Sequence, residues 1–165
     1  MLSFVFPGQG SQYIGMGKDF IKNFSVSREV YNEVDDKLSF SLSKIIMDGE
    51  IEDLTLTENA QPAIMATSIA ILRALRAEGL DIDNASFVAG HSLGEYTALC
   101  ASESISLSDT AYILKMRGLF MQEAVPVGVG AMAAILGLSI NDIKSLIDDV
   151  KVKGVCEIAN DNEPN

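Results

Sequence analysis

The sequence predicts an α/β fold, because short apolar segments rich in β-forming residues each lead through a tight turn into helical sequence. Residues 2–6 and 86–89 are predicted as strands, and turns follow them at Pro7 and Gly90. Residues 62–78 are apolar on nearly every side of a helix, which is typical of a helix buried in a core. These three observations place the chain in the α/β class.

Helices account for most of the remaining sequence up to residue 126. They are two or three short helices within 17–49, one over 95–101, and one capped by Ser108 and Asp109 that runs to about Ala124. Pro62 is expected to begin the buried helix, because the first turn of a helix does not need the N–H that proline lacks. Gly79 is expected to end that helix.

A glycine-rich segment over 126–130 indicates a linker that divides the chain into residues 1–126 and residues 127–165. The second part is predicted as a strand over 131–136, a helix capped by Ser139 that continues to Val150, and a strand over 155–159. A strand–helix–strand unit of this size is too small to bury the faces of its own sheet. We therefore expect sequence beyond Asn165 to complete it.

Charge and cysteine content argue against several function classes. The net charge is −11, with 12 basic and 23 acidic residues, so nucleic acid is not an expected partner. The basic residues are scattered and no apolar run approaches the ~20 residues of a membrane span, so no membrane association is expected. Cys100 and Cys156 lack the spacing of a metal site. We expect no metal or cofactor, a cytoplasmic location with reduced thiols, and burial of both cysteines as small core residues.

The segment Gly90-His91-Ser92-Leu93-Gly94 has the G-x-S-x-G pattern of a nucleophile elbow, between a predicted strand and a predicted helix. A serine on so sharp a turn holds strained dihedral angles, and side chains two residues to either side would collide with its neighbours. Glycines at those places remove the collision. The turn exposes the Ser92 hydroxyl and directs the Leu93 N–H at a developing oxyanion. The alternative is an ordinary serine in a glycine-rich turn.

A serine hydroxyl also needs a base to take its proton, and this chain offers no good candidate. Its single histidine is His91, and side chains that are adjacent on such a turn diverge. His91 is therefore expected to be a packed or hydrogen-bonded turn residue. Glu95 follows within one helical turn, but a carboxylate of ordinary pKa is too weak a base for a serine hydroxyl. The base is expected to lie outside this sequence.

Four short motifs together identify a family. They are Phe6-Pro7-Gly8-Gln9-Gly10-Ser11-Gln12, Gln61-Pro62-Ala63, Gly90-His91-Ser92-Leu93-Gly94-Glu95 and Met116-Arg117-Gly118. In this order and spacing they resemble the malonyl-CoA:acyl carrier protein transacylases of bacterial type II fatty acid synthesis. The resemblance covers the whole chain, through Gly130-Ala131-Met132 to Asn160-Asp161-Asn162. Each motif alone is weak evidence, but four in register are specific.

The resemblance implies a fold and a reaction. The fold is a large α/β-hydrolase-like subdomain with an inserted ferredoxin-like small subdomain, both only partly present in this chain. Ser92 would attack the thioester of malonyl-CoA, and the N–H groups of Gln9 and Leu93 would form the oxyanion hole. The malonyl group would then pass to the phosphopantetheine thiol of acyl carrier protein.

The resemblance also implies how the substrate is bound. Arg117 would hold the free malonyl carboxylate, a role that suits the planar fork of arginine. Gln61 either lines the pocket or is a structural amide at the start of a helix. Asn160 and Asn162 either lie near the pantetheine path or are turn residues.

Members of this family are much longer, and their catalytic histidine lies beyond residue 165. We therefore expect a C-terminal half, as a separate chain or as a continuation of this one, and little activity from this chain alone. Two alternatives remain open. One is a serine esterase or thioesterase with the same elbow, and the other is a non-catalytic fragment that binds carrier protein.

Overall fold

Two short parallel strands lie side by side in the computed structural model, which describes residues 1–80, 82–126, 128–150 and 154–162. Strand β1 (Ser3–Phe6) pairs with β2 (Phe87–Gly90), so that Phe6 lies opposite Gly90. Both strands confirm the predicted segments to within one residue at each end. Because the strands are parallel, the loops that follow them begin at the same edge of the sheet.

Helices make up most of the two compact units into which the chain divides, Met1–Val127 and Gly128–Asn165. They are α1 (Lys18–Asn23), α2 (Ser25–Leu38), α3 (Leu42–Asp48), α4 (Ile51–Thr55), α5 (Thr57–Ala77), α6 (Leu93–Ala101), α7 (Leu107–Ala124) and α8 (Ile140–Val150), with a short 3-10 helix at Ile82–Asn84. The α/β class is thereby confirmed, as are the short helices predicted within 17–49.

Helix α5 is the buried helix that the sequence predicts, and it packs against α2, α6 and α7. Small side chains on it, Ala63, Ala66 and Ala70, are fully buried. Small residues at such positions let neighbouring helices approach closely, because ridges of side chains must fit into grooves. The core of the first unit therefore lies around α5.

Two helices begin earlier than predicted. Helix α5 begins at Thr57 and contains Pro62, because the N–H groups of Asn59 and Ala60 already bond to the Leu56 carbonyl and close a turn ahead of the proline. Proline then removes only one later helical hydrogen bond. Helix α7 is capped by Ser106, whose Oγ accepts the N–H of residue 109 at 3.1 Å, and not by residues 108 and 109 as predicted.

The strands predicted over 131–136 and 155–159 are wrong for the described part of the second unit, where neither segment forms a strand. A strand is defined by hydrogen bonds to a neighbouring strand, and these two segments do not pair with each other. Their apolar side chains are exposed, at 88 % for Leu136 and 96 % for Val155. The helix between them is confirmed as α8, and the N–H of Asp142 donates to Ser139 Oγ at its start.

The two cysteines differ in their surroundings. Cys100 is buried, as predicted, whereas Cys156 is exposed and the prediction for it is wrong. Cys156 lies in a segment of the second unit without regular secondary structure, where no neighbouring strand covers it in the described residues. None of the helices in the described ranges is both long enough and apolar enough to cross a membrane.

Candidate active site

Ser92 lies on the turn between β2 and α6, where its backbone is strained. Its φ is 55° and its ψ is −109°, a combination that residues with a Cβ rarely adopt. The turn is held by the Gly94 N–H, which donates to the His91 carbonyl, and by the Glu95 N–H, which donates to the Ser92 carbonyl. Ser92 itself is half-buried. The geometry is that of a nucleophile elbow.

The two glycines of the elbow are required by close backbone contacts. A Cβ on Gly90 would overlap the backbone of Gly94, and a Cβ on Gly94 would overlap the carbonyl oxygen of Phe6. The second contact packs the start of α6 directly against the end of β1. The crowding around Ser92 that the sequence predicts is therefore due to the backbone atoms of Gly94 and Phe6.

The loop after β1 lies beside the elbow. The N–H of His91 donates to the Phe6 carbonyl at 3.3 Å, and a Cβ on Gly8 would lie 2.7 Å from Nδ1 of His91. Gln9, the next residue, is exposed at this edge of the sheet. Within the described ranges, no protein acceptor is bonded to the backbone N–H of Gln9 or Leu93. In the described residues the fold thus uses neither N–H as a donor.

The guanidinium of Arg117 reaches the serine from α7. Its Nη2 donates to Ser92 Oγ at 2.9 Å, while its Nη1 donates to Gln61 Oε1 at 2.6 Å. The ring of Tyr96, one turn into α6, lies 5.7 Å from the centre of the guanidinium, within the range of a cation–π contact. Contacts from three separate elements therefore fix the position of one positive charge beside the Ser92 hydroxyl.

Gln61 holds this arginine from the core side. Its side chain is fully buried on α5, and its Nε2 donates to Sδ of Met121 at 3.3 Å. A buried amide must have hydrogen-bond partners to offset the loss of water, and Arg117 and Met121 supply them. Gln61 is thus buried at the site and bonded to Arg117, and it does not sit at the start of its helix.

Sequence reasoning missed two neighbours of the site, Tyr96 and Met121. Each lies four residues after a predicted site residue, Tyr96 after Ser92, which directly precedes α6, and Met121 after Arg117 on α7. Residues four apart share a helix face, so helical spacing was the signal that could have found them.

An open apolar groove of about 510 Å³ runs along α7 beside Arg117. Its other lining residues are Tyr112, Ile113, Met116, Phe120, Met121 and Ala124. The surface along this part of α7 is therefore apolar apart from Arg117.

No base approaches Ser92 Oγ among the described residues, where Arg117 is its hydrogen-bond partner. The side chains of His91 and Glu95 are exposed, and neither bonds to the serine. Asn160 and Asn162 are exposed in the second unit. The described residues therefore place the Ser92 hydroxyl beside the Arg117 guanidinium, and within them no proton acceptor bonds to that hydroxyl.

Known proteins resemble this chain over nearly its whole length. Residues 3–162 match the acyl transferase domain family. The malonyl CoA-acyl carrier protein transacylase of Bacillus subtilis (strain 168) is 47 % identical over 164 residues, which are 99 % of this chain and 51 % of that protein. The chain spans about half the length of the curated relatives it matches.

Solved structures give the same result. The acyl-carrier-protein-S-malonyltransferase of Bartonella henselae is 53 % identical, with a TM-score of 0.91 over 98 % of this chain and 52 % of that one. A malonyl-transacylase in complex with a type II PKS acyl-carrier protein is 40 % identical, with a TM-score of 0.83 over 90 % of this chain and 47 % of that one.

Proposed function

The chain belongs to the acyl transferase domain family, and from this we propose that it carries the nucleophile of a malonyltransferase. In the proposed reaction, Ser92 takes a malonyl group from malonyl-CoA and passes it to the phosphopantetheine thiol of acyl carrier protein. The names of similar proteins support this transfer, since they are malonyl transacylases or malonyltransferases acting with acyl carrier protein. The observation that carries the proposal is the position of Arg117 at Ser92.

Arg117 is suited to select an acyl group that ends in a carboxylate. In a malonyl ester of Ser92, the free carboxylate carbon lies three bonds of about 1.5 Å from Oγ. Nη2 of Arg117 is 2.9 Å from that oxygen before any acyl group is attached, so a small movement brings the fork onto the carboxylate. Gln61 keeps its bond to the other nitrogen and limits the directions in which the fork can turn.

The serine would exchange one thioester for another through an ester. Oγ attacks the thioester carbonyl carbon while its proton passes to a base, and the carbonyl oxygen becomes an oxyanion. The C–S bond then breaks, and the released thiol takes the proton. The carrier thiol repeats these events in reverse. We assign the oxyanion to the N–H groups of Gln9 and Leu93, which lie free at the same edge of the sheet. The proposed chemistry needs no metal or cofactor.

The base is proposed to come from a C-terminal half that is not part of this sequence. Support comes from the single histidine, which does not bond to the serine in the described structure, and from the relatives, which are about twice as long as this chain. We also propose that the first unit belongs to an α/β-hydrolase-like large subdomain and the second to a ferredoxin-like insertion. The free thiols of Cys100 and Cys156 support a cytoplasmic location.

Complementation tests this proposal. The 165-residue chain alone should transfer malonyl groups at a negligible rate, because loss of the base of a serine–histidine pair costs a factor of about 10⁴. Addition of the C-terminal half of the Bacillus subtilis relative should restore transfer to carrier protein. If that mixture transfers nothing although both parts are folded and bound to each other, the proposal is wrong. If it releases free malonate and forms no acyl carrier thioester, the chain is part of a hydrolase.

Replacement of the arginine tests the choice of substrate. Arg117→Ala in the completed enzyme should lower malonyl transfer about tenfold or more beyond any loss in acetyl transfer, because the lost hydrogen bonds are to a charged group. Arg28→Ala, at an exposed arginine on α2, is the matched control and should change neither. Equal losses for malonyl and acetyl groups would contradict the role of Arg117 as the carboxylate ligand.

A further inference from the structure

We infer that the contact between α5 and α7 at Gly118, fastened by Lys115, positions Arg117 and thereby sets the preference for acyl groups that end in a carboxylate. This inference rests on the function proposed above. The contacts of Gly118 and Lys115 in the described residues are with α5 and Phe40 and not with Ser92, so we treat both as positioning residues that act through Arg117.

The two helices meet at Gly118 with no room for a side chain. A Cβ on Gly118 would lie 2.5 Å from Cα of Glu58 and 2.6 Å from the carbonyl oxygen of Thr57. All the nearest atoms belong to the backbone of α5, so no side-chain rotation can relieve the overlap. A methyl group at this position must move α7 away from α5 by about 1 Å to reach ordinary van der Waals contact.

This contact lies one helical turn from Gln61, which accepts a hydrogen bond from Arg117. Thr57, Glu58 and Gln61 share a face of α5, since they are three and four residues apart. On α7, Arg117 directly precedes Gly118. A displacement of about 1 Å there would lengthen the 2.6 Å bond between Arg117 and Gln61 beyond the range of a hydrogen bond.

Lys115, three residues before Gly118 on α7, stabilises the same contact. Its Nζ lies 3.1 Å from Oδ1 of Asn59 and 3.5 Å from Oε1 of Glu58, and it sits 4.8 Å from the ring centre of Phe40. The side chains of Lys115 and Glu58 are only 20 % and 27 % exposed. These interactions hold the first turn of α5 against α7, so that Gly118 remains in close contact.

Two variants of the completed enzyme test the inference, each with a matched control. In Gly118→Ala, the ratio of malonyl to acetyl kcat/KM should fall about tenfold or more, because a hydrogen bond to a charged group is lost. Gly49→Ala introduces a similar overlap, 2.6 Å from the Ile45 carbonyl oxygen at the end of α3, and should lower the melting temperature without changing that ratio. A merely structural role for Gly118 would give both variants the same unchanged ratio.

Lys115→Met covers the case in which Gly118→Ala does not fold. It removes the polar contacts without adding an atom between the helices, and it should lower the ratio in the same direction. Lys37→Met is its control, since Lys37 also pairs with a carboxylate on α7 and lies over an aromatic ring. An unchanged ratio in folded Gly118→Ala, or in Lys115→Met when Gly118→Ala does not fold, overturns the inference.

A spectroscopic readout separates this inference from the proposed function. Guanidinium ¹⁵N NMR of the 165-residue chain should show slow rotation of the Arg117 Nη groups, assigned with Arg117→Lys, and Gly118→Ala should abolish it while Gly49→Ala keeps it. If the wild-type enzyme transfers no acyl group, the proposed function fails and the inference fails with it. If transfer is normal but folded Gly118→Ala leaves the ratio unchanged, only the inference fails, and an unchanged NMR signal in that variant shows that the arginine was never displaced.

Discussion

The buried hydroxyl of Tyr31 makes the stability of the first unit sensitive to alkaline pH. Tyr31 lies on α2 and is 2 % exposed, and its hydroxyl donates to Oγ1 of Thr67 at 2.9 Å. Thr67 in turn donates to the carbonyl of Ala63 on α5. Burial raises the pKa of Tyr31 from 10.0 to about 12, and this outweighs the effect of its hydrogen bond to Thr67, which lowers the pKa. Ionisation of this hydroxyl therefore opposes the packing of α2 on α5.

The sign and size of the effect follow from the two pKa values. Because the folded pKa is the higher one, the stabilisation is fully present below pH 10 and is lost as pH rises through about 12. A difference of about two pKa units corresponds to about 3 kcal/mol, of which about 2 kcal/mol should be lost by pH 12. Tyr31→Phe has no such hydroxyl. It should be less stable than the wild type at pH 7 by about 1 kcal/mol, the value of one buried hydrogen bond.

Urea unfolding of the 165-residue chain between pH 7 and pH 12 measures this difference. The free energies of unfolding of the wild type and Tyr31→Phe should cross above pH 10, so that the variant becomes the more stable protein. Tyr112→Phe, at a tyrosine that is 52 % exposed, should follow the wild type over the whole range. A constant difference between the wild type and Tyr31→Phe up to pH 12 would refute the reasoning.

Three further predictions concern other parts of the chain. Gly94→Ala should lower the melting temperature, because its Cβ would overlap the Phe6 carbonyl. In the completed enzyme it should also abolish labelling of the elbow serine by a phosphonate probe. Unchanged labelling would contradict the packing of the elbow on β1. Ellman's reagent should react at once with Cys156 and with Cys100 only on unfolding, because burial raises the pKa of the Cys100 thiol, and two fast thiols would contradict this. Hydrogen bonds from the Ser106 hydroxyl and a lysine hold the pKa of Asp109 below its usual range. The wild type should therefore lose stability as the pH falls below about 4, whereas Asp109→Asn, which has no carboxyl group here, should not show this loss. Equal acid sensitivity of the two proteins in urea titrations would count against this prediction.

The elbow could be predicted from the sequence because its constraints are local. A serine with a φ of 55° needs small residues at fixed positions around it, and Gly90 and Gly94 stand two residues to either side. The same holds for β1, β2 and α8, whose periodicity and flanking turns or caps lie within a few residues of each element. Sequence reasoning succeeds where the physical cause and its effect are neighbours in the chain.

The contacts of Arg117 could not be derived in the same way. Ser92 is 25 positions away along the sequence and Gln61 is 56 positions away, and the three residues meet only because α5, α6 and α7 pack closely. The resemblance to a family indicated a carboxylate ligand at 117, but nothing in helical spacing showed that Gln61 would be buried and bonded to it. Such contacts depend on interhelical distances that the sequence does not state.

The wrong strands over 131–136 and 155–159 have a related cause. Their sequences are apolar and suited to a strand, but a strand also needs a bonded neighbour, and that neighbour is not specified by the segment itself. In the described part of the second unit these segments leave side chains such as Leu136 and Val155 open to solvent. Propensity indicates which segments can pair and leaves open whether a partner is present.

The dihedral angles of Ser92 bring thermodynamic stability and chemistry into conflict at one position. Ser39 also has a positive φ, but with a ψ of 28° it falls in the left-handed helical region that non-glycine residues tolerate, whereas the ψ of −109° at Ser92 falls outside it. Glycine adopts such angles without a clash, so a chain selected for folding alone would keep no hydroxyl at this turn. The residue whose replacement would relax the backbone is also the residue whose hydroxyl, bonded to Arg117, takes the acyl group in the proposed reaction.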